Sequence, residues 1–246
     1  MSLRATLRRW HIWLGWIVGV PMLFWTLSGV IMVVRPIEVV RGTALLADPA
    51  PLRLAAVPVA PRTAGRALKT LTLESRVAGP RWVLRFADGG SRLADPATGA
   101  LLPGFGAAEA IREVMGRYRG QASVLGATRT DPNNPPGELR RAMDGWKIGM
   151  SDGTHFYVDA GSGEVVARRT RWWRFYDWMW GLHIMDLQTR EDTHHAWIVI
   201  FGIVSLVTTL LALVMLPLTG KRRSGKAAQR SRITPRPVST TPPPRD

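Results

Sequence analysis

Cysteine is absent from the 246 residues. Disulfides, thiolate metal sites and cysteine nucleophiles are therefore excluded. The redox compartment stays open, because oxidising and reducing spaces both tolerate Cys-free chains. Acidic residues are scarce as well: 18 stand against 33 lysines and arginines, a formal net charge of +15. That excess does not form the aromatic-laced basic patch of a nucleic-acid binder. It gathers in Arg4, Arg8 and Arg9 and in the stretch from Lys221-Arg222-Arg223 to Arg236. Basic residues beside apolar runs point to membrane topology and anionic lipid, so no nucleic-acid partner is expected. A Gly-rich phosphate loop, an HExxH pair and a GxSxG elbow are all missing. Glu109 and Glu113 are spaced i,i+4 beside Arg112 and Arg117, which predicts a solvated helix face.

Charge is also missing locally, and there the sequence becomes informative. Residues 10–34 hold no Asp, Glu, Lys or Arg. A helix of that length crosses a ~30 Å hydrocarbon core with some tilt, and Pro21 inside it is tolerated in a membrane helix. The run is too long for a signal-peptide h-region and no small-x-small cleavage site follows Val34-Arg35-Pro36, so a retained anchor is expected. A second span is expected over residues 194–218, apolar from Ala196 onward. Before it, residues 171–193 are too short and too charged to cross, yet dense in tryptophan. They read as an amphipathic helix lying at the interface. Nine of the eleven tryptophans fall in or beside these three segments.

Arg4, Arg8 and Arg9 before the first span, and Lys221, Arg222, Arg223 and Lys226 after the second, place both termini in the cytoplasm. Arg35, Arg41, Arg168, Arg169, Arg171 and Arg174 flank the opposite side. The expected organisation is a basic N-terminus (1–9), a first transmembrane helix (10–34), a periplasmic domain (35–170), the interfacial helix (171–193), a second transmembrane helix (194–218) and a basic tail (219–246). The tail, rich in Pro, Ser, Thr and Arg, is expected to be disordered.

Between the spans an internal repeat stands out. Trp82-Val-Leu-Arg-Phe-Ala-Asp88-Gly89, then Asp95-Pro-Ala-Thr98-Gly99, recurs as Trp146-Lys-Ile-Gly-Met-Ser-Asp152-Gly153, then Asp159-Ala-Gly-Ser162-Gly163. Each copy reads as a strand, an Asp-Gly turn, a second strand and a further turn into a third. A helix is expected upstream of each, over 62–71 and 107–118, and the 131–136 run is a loop. The predicted fold class is α+β: two units of helix plus antiparallel strands inserted between two transmembrane α-helices. The aspartates read as Asx-turn residues, with calcium as the alternative.

This order of elements resembles the PepSY domain, and the flanks resemble the PepSY-associated transmembrane family. The flanking motifs are Arg9-Trp10-His11-Ile-Trp-Leu-Gly15, Thr26-Leu-Ser28-Gly29, Trp180-Gly-Leu-His183 and Leu216-Pro-Leu-Thr219-Gly220. The resemblance covers roughly residues 5 to 222. It implies a bacterial inner-membrane protein. Some members look like haem-carrying reductases of ferric siderophores, linked to iron uptake, and isolated PepSY domains are associated with restraining secreted peptidases. Those reductases have about four spans where this chain has two, a number that a homodimer would restore.

The candidate haem b ligands are His11, His183 and His195. His11 lies about one turn into the first span, and Gly15, Gly19, Met22 and Thr26 share its face. Small residues there admit a haem plane and serve helix packing equally well. His183 matches the family's Leu-His context. Asp186, Glu191 and Asp192 could orient neighbouring imidazoles, while His194 and His195 also read as the start of a helix capped by Asp192 or Thr193. His155 reads as an ordinary strand residue. His11 and His194 sit near opposite ends of their spans, ~30 Å apart, so a bis-histidine site needs His11 from two protomers, or His183 with His194 or His195. No catalytic residue is expected. The leading expectation is a membrane-anchored module whose domain binds a periplasmic peptide, protein or envelope ligand. The alternative is a haem-b redox protein working as a dimer or with a partner.

Overall fold

A computed structural model describes residues 3–63 and 65–231. The chain divides into two compact units, one made of residues 1–29 and 181–246, the other of residues 30–180.

The first unit carries the ends of the chain. Helix α1 spans Leu3–Val33 and helix α5 spans Ala196–Ser231. Their apolar stretches, Ala5–Val33 and Ala196–Pro217, are long and apolar enough to cross a membrane. Large apolar side chains stand exposed along both, among them Trp13, Trp16, Ile203 and Leu206. A helix apolar on every side has no water-facing stripe. Arg8 and Arg9 lie inside α1, and one sequence expectation is corrected: α5 continues through Pro217 to Ser231, past the start of the expected disordered tail. Residues 221–231 are rich in Lys, Arg, Ala and Gln, good helix formers, so the disorder expected from 219 onward does not begin there. Residues 232–246 lie outside the described residues.

The second unit is mixed α and β, with two antiparallel sheets. Strands β1 (Leu68–Arg76), β2 (Gly79–Phe86) and β3 (Ser91–Ala94) form one in the order β1-β2-β3. Strands β4 (Val124–Thr130), β5 (Gly145–Met150), β6 (His155–Asp159) and β7 (Val165–Arg169) form the other, again in sequence order. The short helix α2 (Ile37–Arg41) follows α1 in sequence, and helix α3 (Ala107–Met115) packs Ala110 and Val114 against Ile148, Phe156 and Val158 on one face of the larger sheet. Tyr157, pointing the other way as strand alternation requires, is covered by Leu139 and Met143.

The 64-residue spacing in the sequence is matched by local geometry. Asp88 and Asp152 each accept a backbone N–H two residues on, from Gly90 at 2.9 Å and Thr154 at 2.8 Å. Gly89 and Gly153 follow them at φ of 86° and 80°, backbone that an L side chain rarely adopts. Asp95 and Asp159 hold the next turns through Ala97 N–H and Ser162 N–H. The Trp82 and Trp146 indoles donate to backbone carbonyls of Val59 and Phe105. The β1–β2 and β4–β5 ladders each slip by one residue near their start, between Leu68 and Thr70 and between Val124 and Gly126.

Three details depart from the sequence reading. The helix expected over 62–71 is absent. Gly65 sits at φ 77° and β1 begins at Leu68, because Thr70-Leu71-Thr72-Leu73 alternates with period two and packs Leu71 on Leu84 and Phe86. The first copy's third strand shrinks to a single bridge, Ala94 with Leu101, where the second copy has β7. Glu113 is not solvated: it is 2% exposed, and its carboxylate accepts the Val77 N–H at 2.8 Å and pairs with Arg117.

Candidate functional site

A groove of about 650 Å³ opens in the second unit. Lys69 and Thr70 of β1, the β2–β3 turn around Gly89 and Gly90, and Arg141 to Asp144 line it. Phe86 and Met143 supply apolar surface. Its carboxylates are already engaged: Asp144 binds Arg129 through two bonds of 2.9 and 2.7 Å, and Asp159 accepts Ser91 Oγ and Ser162 N–H. Lys69 has no ion pair among the described residues, and Arg141 reaches only the Met143 sulfur. The outer edges of β1 and β4 are unpaired in their sheets, and an extended peptide can add to such an edge through main-chain hydrogen bonds.

Behind β6 lies a polar cluster that the sequence reading missed. The half-buried Glu138 carboxylate meets His155 Nδ1 at 2.5 Å, Tyr157 Oη at 2.7 Å and Arg174 Nη1 at 3.4 Å. Lys147 Nζ is 3.9 Å away, and the Glu138 carbonyl takes a bond from Arg169. Burial pushes the Glu138 carboxyl up, but the Tyr157 and His155 hydrogen bonds and the nearby positive charge outweigh it and leave the group below the ordinary glutamate value. Burial, then the Glu138 carboxylate, push the Tyr157 phenol well above its usual range. His155 is thus one arm of a buried network rather than a plain strand residue.

In the first unit, His183 is held tightly. Its ring stacks on Trp25 with centroids 4.7 Å apart. Nδ1 lies 3.1 Å from both the Trp25 carbonyl and Ser28 Oγ. The carbonyl can only accept, so Nδ1 is the donor of this pair. Ser28, fully buried, donates its own hydroxyl to the same carbonyl at 2.9 Å. Gly29 leaves the room: a Cβ there would stand 3.1 Å from His183 Cε1.

The other histidines are placed differently. His195 Nε2 donates to the Ile184 carbonyl at 2.8 Å. His194 sits beside Thr193, and its backbone N–H is taken by Asp192 Oδ1 just before α5. His11 has a buried Nδ1 with no partner among the described residues. His183 packs at the level of Gly29, so His11 lies about 27 Å away along α1 and the two do not meet on one metal within a chain. Asp186 is bonded to no imidazole among the described residues. It takes the Thr189 hydroxyl and the backbone N–H groups of Thr189, Glu191 and Asp192, bonds that hold its carboxyl far below the usual range. No group of three or more His, Asp or Glu side chains that could hold a metal ion occurs among the described residues.

Helix α4 (Arg171–His183) joins the second unit to this region of sequence. It ends where Met185 takes φ 59° and Asp186 N–H bonds back to Gly181, so the helical part of the expected 171–193 segment stops at His183. Its polarity is inverted. Asp177 is 5% exposed and pairs with Arg140, while Phe175 and Trp178 are 41% and 50% exposed.

Comparison with family models, with curated proteins and with solved structures gave no match to this chain.

Proposed function

We propose that the chain is a two-span membrane protein of PepSY type whose α+β unit, displayed outside the cytoplasm, binds a peptide or protein ligand in an accessory or regulatory role. The observation that carries it is the groove bounded by the edge strand β1, with free cations and apolar surface on walls whose acids are already engaged. The membrane part rests on the two apolar helices and on α4, which buries Asp177 and leaves Phe175 and Trp178 exposed. The repeated Asp-Gly and Asp-x-x-(Thr/Ser)-Gly turns support the PepSY assignment, and the basic flanks support an inner membrane with both termini cytoplasmic.

The absence of cysteine gives a clean test. A single cysteine at Lys69 or Arg141, labelled with a benzophenone, should crosslink a peptide or protein in intact envelopes. The same label at Arg119 should not. Equal or absent crosslinking at all three positions would remove the groove as the binding site.

A second reading is favoured by one feature, the orientation of His183, whose Nδ1 donates to the Trp25 carbonyl. Such an imidazole is set up as a haem or metal ligand, its orientation held by a backbone carbonyl as ligating histidines usually are. The second axial ligand would come from His195 or from a second copy of the chain. A Soret band that sharpens on dithionite reduction and disappears in His183→Ala would establish a haem-b protein. A flat spectrum from folded protein supplied with haem would dismiss it.

A further inference from the structure

We infer that the corner at residues 35–41 and the start of α4 form a headgroup site for an anionic phospholipid, an inference that rests on the membrane reading of α1. The Arg35 guanidinium lies 4.7 Å above the Trp172 ring. Gly42, which follows Arg41, approaches Thr170 so closely that a Cβ would stand 3.1 Å from its methyl group. Arg171, next to Thr170, runs along Gly153. Arg35 and the stretch that follows Arg41 therefore lie beside the first turn of α4, which Arg171 opens.

What separates them from their neighbours is the lack of a carboxylate. On the inner side, Arg140 pairs with Asp177 and Arg174 with Glu138. Arg35, Arg41 and Arg171 are exposed and make no ion pair among the described residues. Glu38 is the one acid between Arg35 and Arg41 in sequence, so the cluster keeps an excess of positive charge. One and two turns beyond Arg171, on the same helical face, Phe175 and Trp178 present apolar surface.

Charge at one end of a face and aromatics along the rest match a phosphate headgroup with its acyl chains alongside. Guanidinium groups suit phosphate oxygens through paired N–H donors. A small soluble anion would use the charges and leave the aromatic face bare. The arrangement also accounts for basic residues on the side of the chain where the positive-inside tendency would not place them.

The test uses the full-length protein in neutral detergent, with native mass spectrometry counting retained phosphatidylglycerol and phosphatidylcholine. Phosphatidylglycerol should be preferred. The triple variant Arg35→Gln, Arg41→Gln, Arg171→Gln should lose that preference by roughly fivefold per charge removed, while Arg53→Gln, Arg92→Gln, Arg119→Gln keeps it. Equal retention of the two lipids, or an unchanged triple variant, overturns the site. Inorganic phosphate that binds alone and displaces the lipid at the same concentration would make it a free-anion site and overturn the lipid assignment. Alkaline carbonate extraction separates the two levels: release from membranes would defeat the membrane reading itself, whereas retention without lipid preference defeats only the headgroup site.

Discussion

Glu138 shows how one side chain can organise a segment with no regular structure of its own. It follows Pro135-Pro136-Gly137 and reaches across to His155 and Tyr157 on β6 and Arg174 on α4. Removing one member of a partly buried, charged network leaves the others poorly paired, at a cost of about 1–2 kcal/mol after solvent screening. Glu138→Ala is expected to lower the stability of the domain by that order in a denaturant melt. Glu138→Gln, which keeps an acceptor oxygen for the Tyr157 hydroxyl, should cost less. The pH dependence has a definite sign. Since the folded carboxyl titrates below the ordinary glutamate value, its contribution is complete above that value and disappears as pH falls through the depressed one. Glu138→Gln should therefore flatten the acid limb of the stability profile, and a limb of unchanged steepness would assign it to other carboxylates. None of this was legible in sequence. His155 and Glu138 are separated by a loop, β5 and a turn, and no short spacing links them. His183 stood out only through its Leu-His context, and its Trp25 and Ser28 partners, far away in sequence, were not legible there.

Elements with a strong local period were read correctly, and elements decided by tertiary contact were not. Helix α3 was visible in the stretch around Ala107-Ala-Glu-Ala-Ile, and the Asp-Gly turns were visible because only a few residues tolerate that backbone. Strand β1 was read as a helix because Ala, Leu and Lys carry helix propensity, but pairing with β2 along its whole length overrides a preference of a few tenths of a kcal/mol per residue. Strand β4, with Gly126 and exposed Leu125, carries too little alternation to be found alone. In α4 the aromatic density was plain, while the direction of each side chain came only from the structure. The inverted polarity predicts a specific pattern. Nitroxide labels on single cysteines at 175 and 178 should be accessible to oxygen dissolved in lipid and shielded from a water-soluble nickel reagent. Labels at 173 and 177 should be shielded from both. Water-soluble reagent reaching 175 and 178 freely would place that face in solvent and refute the interfacial helix.

At the scale of the whole chain, the sequence separates two kinds of surface. Residues 30–180 close an ordinary core, with Phe156, Ile148, Leu84 and Val83 fully buried. The apolar stretches of α1 and α5 do the reverse and expose Leu, Ile, Val and Trp on every side. In water, that much contiguous apolar surface would drive aggregation, since a soluble monomer rarely exposes more than a few hundred Å² in one patch. A bilayer removes the difficulty, and the basic residues then decide orientation. Arg4, Arg8 and Arg9 oppose Arg35 and Arg41 across α1, and Lys221, Arg222 and Arg223 oppose Arg168, Arg169, Arg171 and Arg174 across α5. Counted alone, these flanks nearly balance. They cease to balance once Arg168, Arg169 and Arg174 are seen to be partly buried in the domain fold, two of them bound to Glu138 or its carbonyl. The charge left free is in keeping with the proposed placement of both termini in the cytoplasm. Single cysteines again make this measurable. A cysteine at Arg92 in the domain should react with a membrane-impermeant maleimide added to intact spheroplasts, and one at Ser239 should react only after permeabilisation. The reverse pattern would place the groove in the cytoplasm and turn the search for its ligand there.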